Sequence, residues 1–346
     1  MNIVHEYLDG FNIQKLLKFR LILILTIYEF PKWIVIQMAV LVPHLLKITL
    51  STESNLPQIS NDEIYFNDPQ FISKELLFWQ GIINPPTIVQ IHTFINSIRK
   101  NINESDGKIV NIFCSSTPEA IWNYFFLLSS YLIVDHHLPS TEILSKLKVL
   151  IDPFQTFEKV QIIAHQIEAI ILNFSNAFIL AYQKGFYNPD TFPLDEYNAM
   201  FSGKNGDMNW IIYKRLLALA SPISNLNRLM APKLIAPLLK GMGIKKLIRL
   251  CQPLYSEVLF NDNGIECDSI QFPDGGVPDT EMIQKWIQIT SDKSTPIAVH
   301  CMAGIGRTGT MCAIYLMKYE GFKAEEAFWY IRTCRSFSIE SSQLGF

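Results

Sequence analysis

The run VHCMAGIGRTGT, from Val299 to Thr310, sets a cysteine between a histidine and a glycine-rich turn, with an arginine six positions after the cysteine. Cys301 is a candidate nucleophile, because a thiol near a helix N-terminus and a cation gives up its proton more readily than a free one. Arg307 carries a planar fork that can hold two oxygens of a phosphoryl group. Between them, Met302, Ala303, Gly304, Ile305 and Gly306 form a loop whose backbone N–H groups can converge on an anion. Gly304, Gly306 and Gly309 permit the close approach this requires. The nucleotide-binding pattern GxxxxGK[ST] is absent, so the loop is a different kind of phosphate cradle. These residue types suit transfer of a phosphoryl group to Cys301, with Thr308 hydrogen-bonded to the sulfur as it leaves and His300 orienting the loop. A buried structural thiol would not need the spacing HCxxGxxR[ST]G, whose chance occurrence is on the order of one in a million per site or rarer.

A departing alkoxide needs a proton, and its donor must come from another loop. FPDGGVP, from Phe272 to Pro278, holds Asp274 between proline and glycine. An aspartate is ordinary in such a turn, yet this one precedes Cys301 by one strand and one helix. Asp274 is therefore expected to act as general acid, then as general base for the water that hydrolyses the phosphocysteine.

Alternating strands and helices must position these groups. KIVNIFC (Lys108 to Cys114) reads as a buried strand, followed by a polar turn and a long apolar helix with Ser116 and Thr117 as caps and Pro118 in its first turn. GIKKLIRL, IECDSIQF and PIAVH read as further strands. TEMIQKWIQIT reads as a helix with Met282, Ile283, Trp286 and Ile287 on one face. The helix after the cradle should end at Gly321. The fold class expected is α/β, with a central sheet flanked by helices in each of two domains. The boundaries expected are an apolar N-terminal extension over 1–55, a first domain over 56–185, an inter-domain linker over 186–210, and a catalytic domain over 211–346.

The 346 residues are 49% hydrophobic, ample for two cores, and the net charge is -3. That charge excludes a general nucleic-acid partner, which would show a clustered basic excess. The six cysteines include no CxxC pair or metal-ligand spacing, so neither a metal nor another cofactor is expected. Residues 21–28 and 33–46 are apolar, but neither run reaches the roughly 18 residues of a membrane-spanning helix. A packed or interfacial helix pair is expected there, with membrane association through residues 21–46 as the alternative.

His300 to Gly309 resembles the signature of the protein-tyrosine-phosphatase superfamily. GDMNWII (Gly206 to Ile212), FPDGGVP and AVHCMAGIGRTGT resemble three motifs of its mitotic-exit, cell-division-cycle-fourteen group of dual-specificity phosphatases. The resemblance runs from about residue 62 to the C-terminus. It implies two tandem dual-specificity-phosphatase-like domains, only the second catalytic, acting on phosphotyrosine and on phosphoserine or phosphothreonine before proline. The partners implied are phosphoproteins made by proline-directed kinases, and the setting is mitotic exit or cytokinesis. The placement implied is cytoplasmic or nuclear, with spindle association.

Three departures from that group stand in this sequence. Asn198 and Phe201 occupy positions where the group has groove-forming glutamates, leaving Asp207 as the retained acidic substrate-binding residue. The group's RPGSxxGPQQ loop is RSFSIESSQ here (Arg335 to Gln343). Gln343 aligns with the glutamine that positions the hydrolytic water, but the proline and glycines are gone. The chain stops at Phe346, short of the group's usual final helix and tail. The second and third departures keep a catalytically weak, phosphopeptide-binding pseudophosphatase as the rival reading. A phosphoinositide phosphatase is disfavoured, because the variable loop positions carry no lysine.

Overall fold

Two sheets carry the chain, one before and one after residue 200. The computed structural model describes residues 37–51, 60–66, 78–79, 82–115, 118–148, 161–203, 205–223 and 230–346.

In the first domain β1 (Gln37–Val42), β2 (Leu46–Ser51) and β3 (Glu63–Phe66) precede a two-residue ladder of β4 (Phe78–Trp79) with β5 (Ile82–Ile83). Helix α1 (Ile88–Glu104) and strand β6 (Ile109–Ser115) follow. The main sheet has the order β1-β2-β6-β3, with β2, β6 and β3 parallel and β1 antiparallel at the edge. Thr87 caps α1 in a reciprocal box with Gln90. Helix α2 (Pro118–His136) is apolar on nearly every side, so it must be covered all round. It packs against β6, α1, α3 (Ser140–Leu147) and α4 (Gln161–Gln183). Pro118 opens α2 as expected; Ser116 and Thr117 lie outside the described residues.

The first sheet corrects the reading of the N-terminal region. Residues 37–51 form β1 and β2, not half of a helix pair, and they belong to the first sheet, not to a 1–55 extension. QMAVLV and LKITLS are rich in Val, Ile and Thr, which favour strands, and a tight turn with His44 at φ 58 joins them. No helix among the described residues is long and apolar enough to cross a membrane. Residues 21–36 lie outside the described residues.

Residues 186–210 are more than a linker. They contain α5 (Leu194–Phe201), and MNWII within GDMNWII is a fully buried strand, β7 (Met208–Ile212). Then come β8 (Leu216–Leu219), α6 (Pro232–Gly241), β9 (Lys246–Arg249), α7 (Val258–Asn261), β10 (Glu266–Ser269), α8 (Thr280–Ile289), β11 (Ile297–His300), α9 (Gly306–Glu320) and α10 (Ala324–Cys334). The second sheet has the order β10-β9-β11-β8-β7, parallel except for β7, which closes one edge antiparallel to β8. Trp286 is buried, while Met282, Ile283 and Ile287 on the same helix are half-buried. Gly321 ends α9 in the left-handed conformation, as expected.

The domains meet along α10 and α4. Trp329 of α10, 1% exposed, lies 5.8 Å from Phe126 of α2, and Phe126 packs on Phe174 of α4 at 4.8 Å. Trp329→Ala is expected to cost about 3–5 kcal/mol. It should appear as a lower urea midpoint, with probes in both domains shifting together.

Candidate active site

Four parallel strands end at one level of the second sheet. Ser269 pairs with Arg249, Arg249 with His300, and His300 with Leu219. The loops that follow these strands therefore emerge side by side at the carboxyl edge, where open α/β sheets bind ligands. Cys301 opens the loop after β11, Asp274 lies on the loop after β10, and Leu250 and Ser221 lie on the loops after β9 and β8.

The cradle requires that residues 301–306 turn their N–H groups inward, which turns their carbonyls outward. Each of those carbonyls has a donor. His300 Nδ1 donates to the Cys301 carbonyl at 3.0 Å, and the Ser221 N–H donates to that of Met302 at 2.9 Å. Arg335 Nη2 donates to Ala303 at 3.0 Å and its Nε to Gly304 at 2.6 Å. The Gly309 N–H donates to Ile305 at 2.9 Å, and Thr310 Oγ1 to Gly306 at 3.2 Å. Gly304 has φ 70, and a Cβ there would overlap the Leu219 carbonyl, so glycine is required. Helix α9 starts directly from the cradle, and its N-cap residue Ile305 makes no side-chain cap bond. The first N–H groups of that helix are left for an anion.

Arg307 and Asp274 come together. Arg307 Nη2 is 2.8 Å from Asp274 Oδ1, and Nη1 donates to the Phe272 carbonyl at 3.0 Å. Arg307 is buried, while the Asp274 side chain is 78% exposed on a turn whose Gly275 has φ 66. The one ion pair thus joins the acid loop to the cradle. Cys301 is 2% exposed at the cradle's start. Thr308 Oγ1 and Arg307 Nε are buried without a protein partner, a state that suits an anion-binding cavity. Met302 and Ala303 are exposed on the rim, Ile305 is half-buried, and Gly304 and Gly306 are buried.

Gln343 reaches the same place. It is 3% exposed, its Nε2 donates to the Gly276 carbonyl of the acid loop at 2.9 Å, and its Oε1 accepts from the Glu340 N–H at 3.0 Å. Asp207, expected to bind substrate, keeps a side chain 60% exposed, and its carboxylate pairs with Arg335 Nη2 at 2.8 Å, so it also orients the arginine under the cradle. Asn198 and Phe201 lie on α5.

His300 is fully buried and cannot act as a base toward solvent. A carbonyl only accepts, so Nδ1 carries the proton toward Cys301 and Nε2 accepts from the Tyr255 hydroxyl at 2.7 Å. Burial drives its pKa from an ordinary 6.5 down to about 4, with the nearby Arg249 and Arg307 adding to the shift. It remains neutral and holds the loop, as its place in the motif suggests.

The comparisons bear on this geometry. A family model described as a Swiss Army Knife protein, DSP-PTPase phosphatase domain, matches residues 206–344. The dual specificity protein phosphatase CDC14B of Mus musculus is 29% identical over 84% of this chain and 61% of its own length. The dual specificity protein phosphatase CDC14A of Homo sapiens is 28% identical over 87% of this chain and 52% of its own length. Residues 206–344 are thus similar to a phosphatase domain of the protein-tyrosine-phosphatase type. The chain spans between about half and three-fifths of the length of those two relatives. A solved structure titled "Crystal Structure of PTPMT1" aligns with TM-score 0.34 and 26% identity over 40% of this chain and 88% of that one.

The pattern HCxxGxxR[ST]G made Cys301, Arg307 and Thr308 legible, but several residues that shape the site carry no local pattern. Tyr255, Asn209, Asn84 and Arg335 are among them. Arg335 is 4% exposed, and it also donates to Asn209 Oδ1 at 2.7 Å. A lysine cannot donate along these several directions from a fixed fork. Arg335→Lys should therefore weaken vanadate binding at least about tenfold, since buried carbonyls lose their donors.

His300 also gives a pH signature. Its pKa is depressed in the folded state, so between about 4 and 6.5 the unfolded chain binds a proton that the folded chain does not. The stabilisation is fully present above 6.5 and declines as pH falls toward 4. About 3 kcal/mol is expected to be lost across that window. The slope of unfolding free energy against pH should be shallower in His300→Asn than in the wild type.

Proposed function

We propose that the chain is a cysteine-based dual-specificity protein phosphatase working through a phosphocysteine. The observation that carries this reading is the Arg307–Asp274 contact, which puts an acid loop against the cradle that begins at Cys301. A phosphoryl group entering the cradle meets the N–H groups of residues 302–307 and the Arg307 fork. Cys301 Sγ forms a bond to phosphorus as the bond to the substrate oxygen breaks, and Asp274 gives that oxygen a proton. Water then attacks phosphorus, Asp274 takes its proton, and the electron pair of the sulfur–phosphorus bond returns to Cys301. Thr308 Oγ1, buried and free of protein partners, is suited to stabilise the departing thiolate.

The substrates proposed are phosphotyrosine and phosphoserine or phosphothreonine before proline. The exposed Met302 on the cradle rim and Val277 on the acid loop offer an apolar surface beside the phosphate site. Likeness to proteins named CDC14 supports a setting in the cell cycle, on products of proline-directed kinases, in cytoplasm or nucleus. The Gln343 amide donates once to the Gly276 carbonyl and accepts once from the Glu340 N–H, which leaves one N–H and one lone pair for a water.

The test uses a phosphoserine-proline peptide, its proline-to-alanine form and a phosphotyrosine peptide, with chelator present. Cys301→Ser should abolish phosphate release. Asp274→Asn should lower it by roughly 10²–10⁴-fold. Absence of release from all three peptides, with tight binding to the wild type, would replace the phosphatase by a phosphopeptide-binding protein.

A further inference from the structure

The segment between α10 and Gln343 follows a strained course. Phe337 has φ 68 and Ile339 has φ 63. A bulky aromatic and a β-branched residue keep such angles only where their surroundings over-determine them. Those surroundings come in part from the first domain. Asn84 Oδ1 accepts from the Phe337 N–H at 2.9 Å and from Arg332 Nη1 at 3.1 Å. Arg332 also donates to the carbonyls of Ile83 at 3.0 Å, Ser338 at 2.9 Å and Ile339 at 3.2 Å. Its guanidinium lies over the Phe328 ring at 4.8 Å. Arg332 is 0% exposed, and its hydrogen-bond acceptors among the described residues are all neutral. Burial lowers its pKa to about 9, which still leaves it a cation at neutral pH. A buried cation without a carboxylate is a poor source of stability, so its use here is better read as specifying one arrangement.

The strained segment rests on the reacting loops. The Ile339 N–H approaches the Ile305 carbonyl at 3.4 Å. A Cβ on Gly309 would come within 2.9 Å of Ile339 N, and one on Gly306 within 3.0 Å of Gln343 Oε1. Past the strained residues, Gln343 holds the Gly276 carbonyl of the acid loop.

We propose that Asn84 and Arg332 are positioning residues, through which the first domain holds Gln343 in place for hydrolysis of the phosphocysteine. The inference rests on the phosphocysteine reading above. Neither residue touches the reacting atoms. Transfer to Cys301 needs the cradle and Arg307, whereas the second step needs a water placed between the acid loop and phosphorus. Loosening residues 337–339 releases Gln343 and slows the second step alone.

The experiment compares full-length wild type, Asn84→Ala and Asn84→Asp by rapid quench with p-nitrophenyl phosphate. Asn84→Ala should release the first equivalent of nitrophenol at the wild-type rate, then turn over roughly tenfold more slowly. Phosphoenzyme should accumulate and KM should fall with kcat. Asn84→Asp keeps the oxygen that both donors use, and the amide nitrogen it replaces has no partner. It should restore wild-type turnover, which a general packing defect would not predict. A burst rate that falls in step with turnover, or no change in either, overturns the proposal. Should Asn84→Ala not fold, Asn84→Ser, whose oxygen is too short to serve both donors, is read by the same criteria. Wild type and Cys301→Ser releasing phosphate alike would be a failure of the phosphatase reading instead. The link is then read from hydrogen exchange at the amides of 337–343: faster exchange in Asn84→Ala supports it, and unchanged protection overturns it.

Discussion

A loop that aims its N–H groups at an anion must dispose of its carbonyls on the outside, where the protein is dry. That constraint organises the second domain. The outward carbonyls of residues 301–306 draw donors from the strand that ends in His300, from the turn after β8, from the end of α10 and from the cradle's own helix. Arg335 alone serves two of them, and Asn209 of β7 and Asp207 just before it hold its fork in place. A buried carbonyl left without a donor costs about 1–3 kcal/mol, so the inward course of the cradle depends on all of these elements being in position. The neutrality of His300 follows from the same need, since a protonated imidazole could not accept from Tyr255.

What the sequence made legible is what lies close together along the chain. The cradle, the acid loop, strands β6, β9, β10 and β11, and the helix after the cradle are each written in a short window. Their chemistry can be read because Cys301, Arg307 and Thr308 reach one site through a single turn. The residues that brace the site are not legible in this way. Arg335 meets Asn209, and Arg332 meets Asn84, across most of the length of the chain or of a domain. No periodicity marks an arginine that will be buried against carbonyls. β1 and β2 were missed for a related reason: a short apolar run is ambiguous between strand and helix until it has a partner, and the partner of β2 on its other side, β6, lies about sixty residues further on. β7 was hidden inside a motif, because MNWII overlaps the stretch read as a linker and becomes a strand only when β8 pairs with it.

The two domains are joined by ring stacking and by one shared carboxylate. Phe186 lies against Phe322 and Tyr330, and Arg215 sits over Phe186 while its fork reaches Glu320 at 2.7 Å. Lys184 approaches the same carboxylate at 3.6 Å. Aromatic area supplies the favourable free energy of such an interface, and the near-buried Glu320 sets its register rather than its strength. With register fixed on α9 and α10, the end of α10 is delivered to the same point relative to Ile83 and Asn84, where Arg332 makes its bonds.

A chain can hold the left-handed conformation by using glycine, which is intrinsically free to adopt it, or by bracing another residue from outside. Glycine makes a loop's shape a local property. Phe337 and Ile339 make it conditional, because two strained residues cost on the order of 2–6 kcal/mol between them, and bonds from outside the loop must offset that. Here several of those bonds originate at Arg332 and Asn84, and Asn84 belongs to the other domain. With Phe337 and Ile339 in that conformation, the placing of Gln343 depends on the docking of the two domains as well as on the loop's own backbone. The first domain then has a physical reason to stay attached to the second.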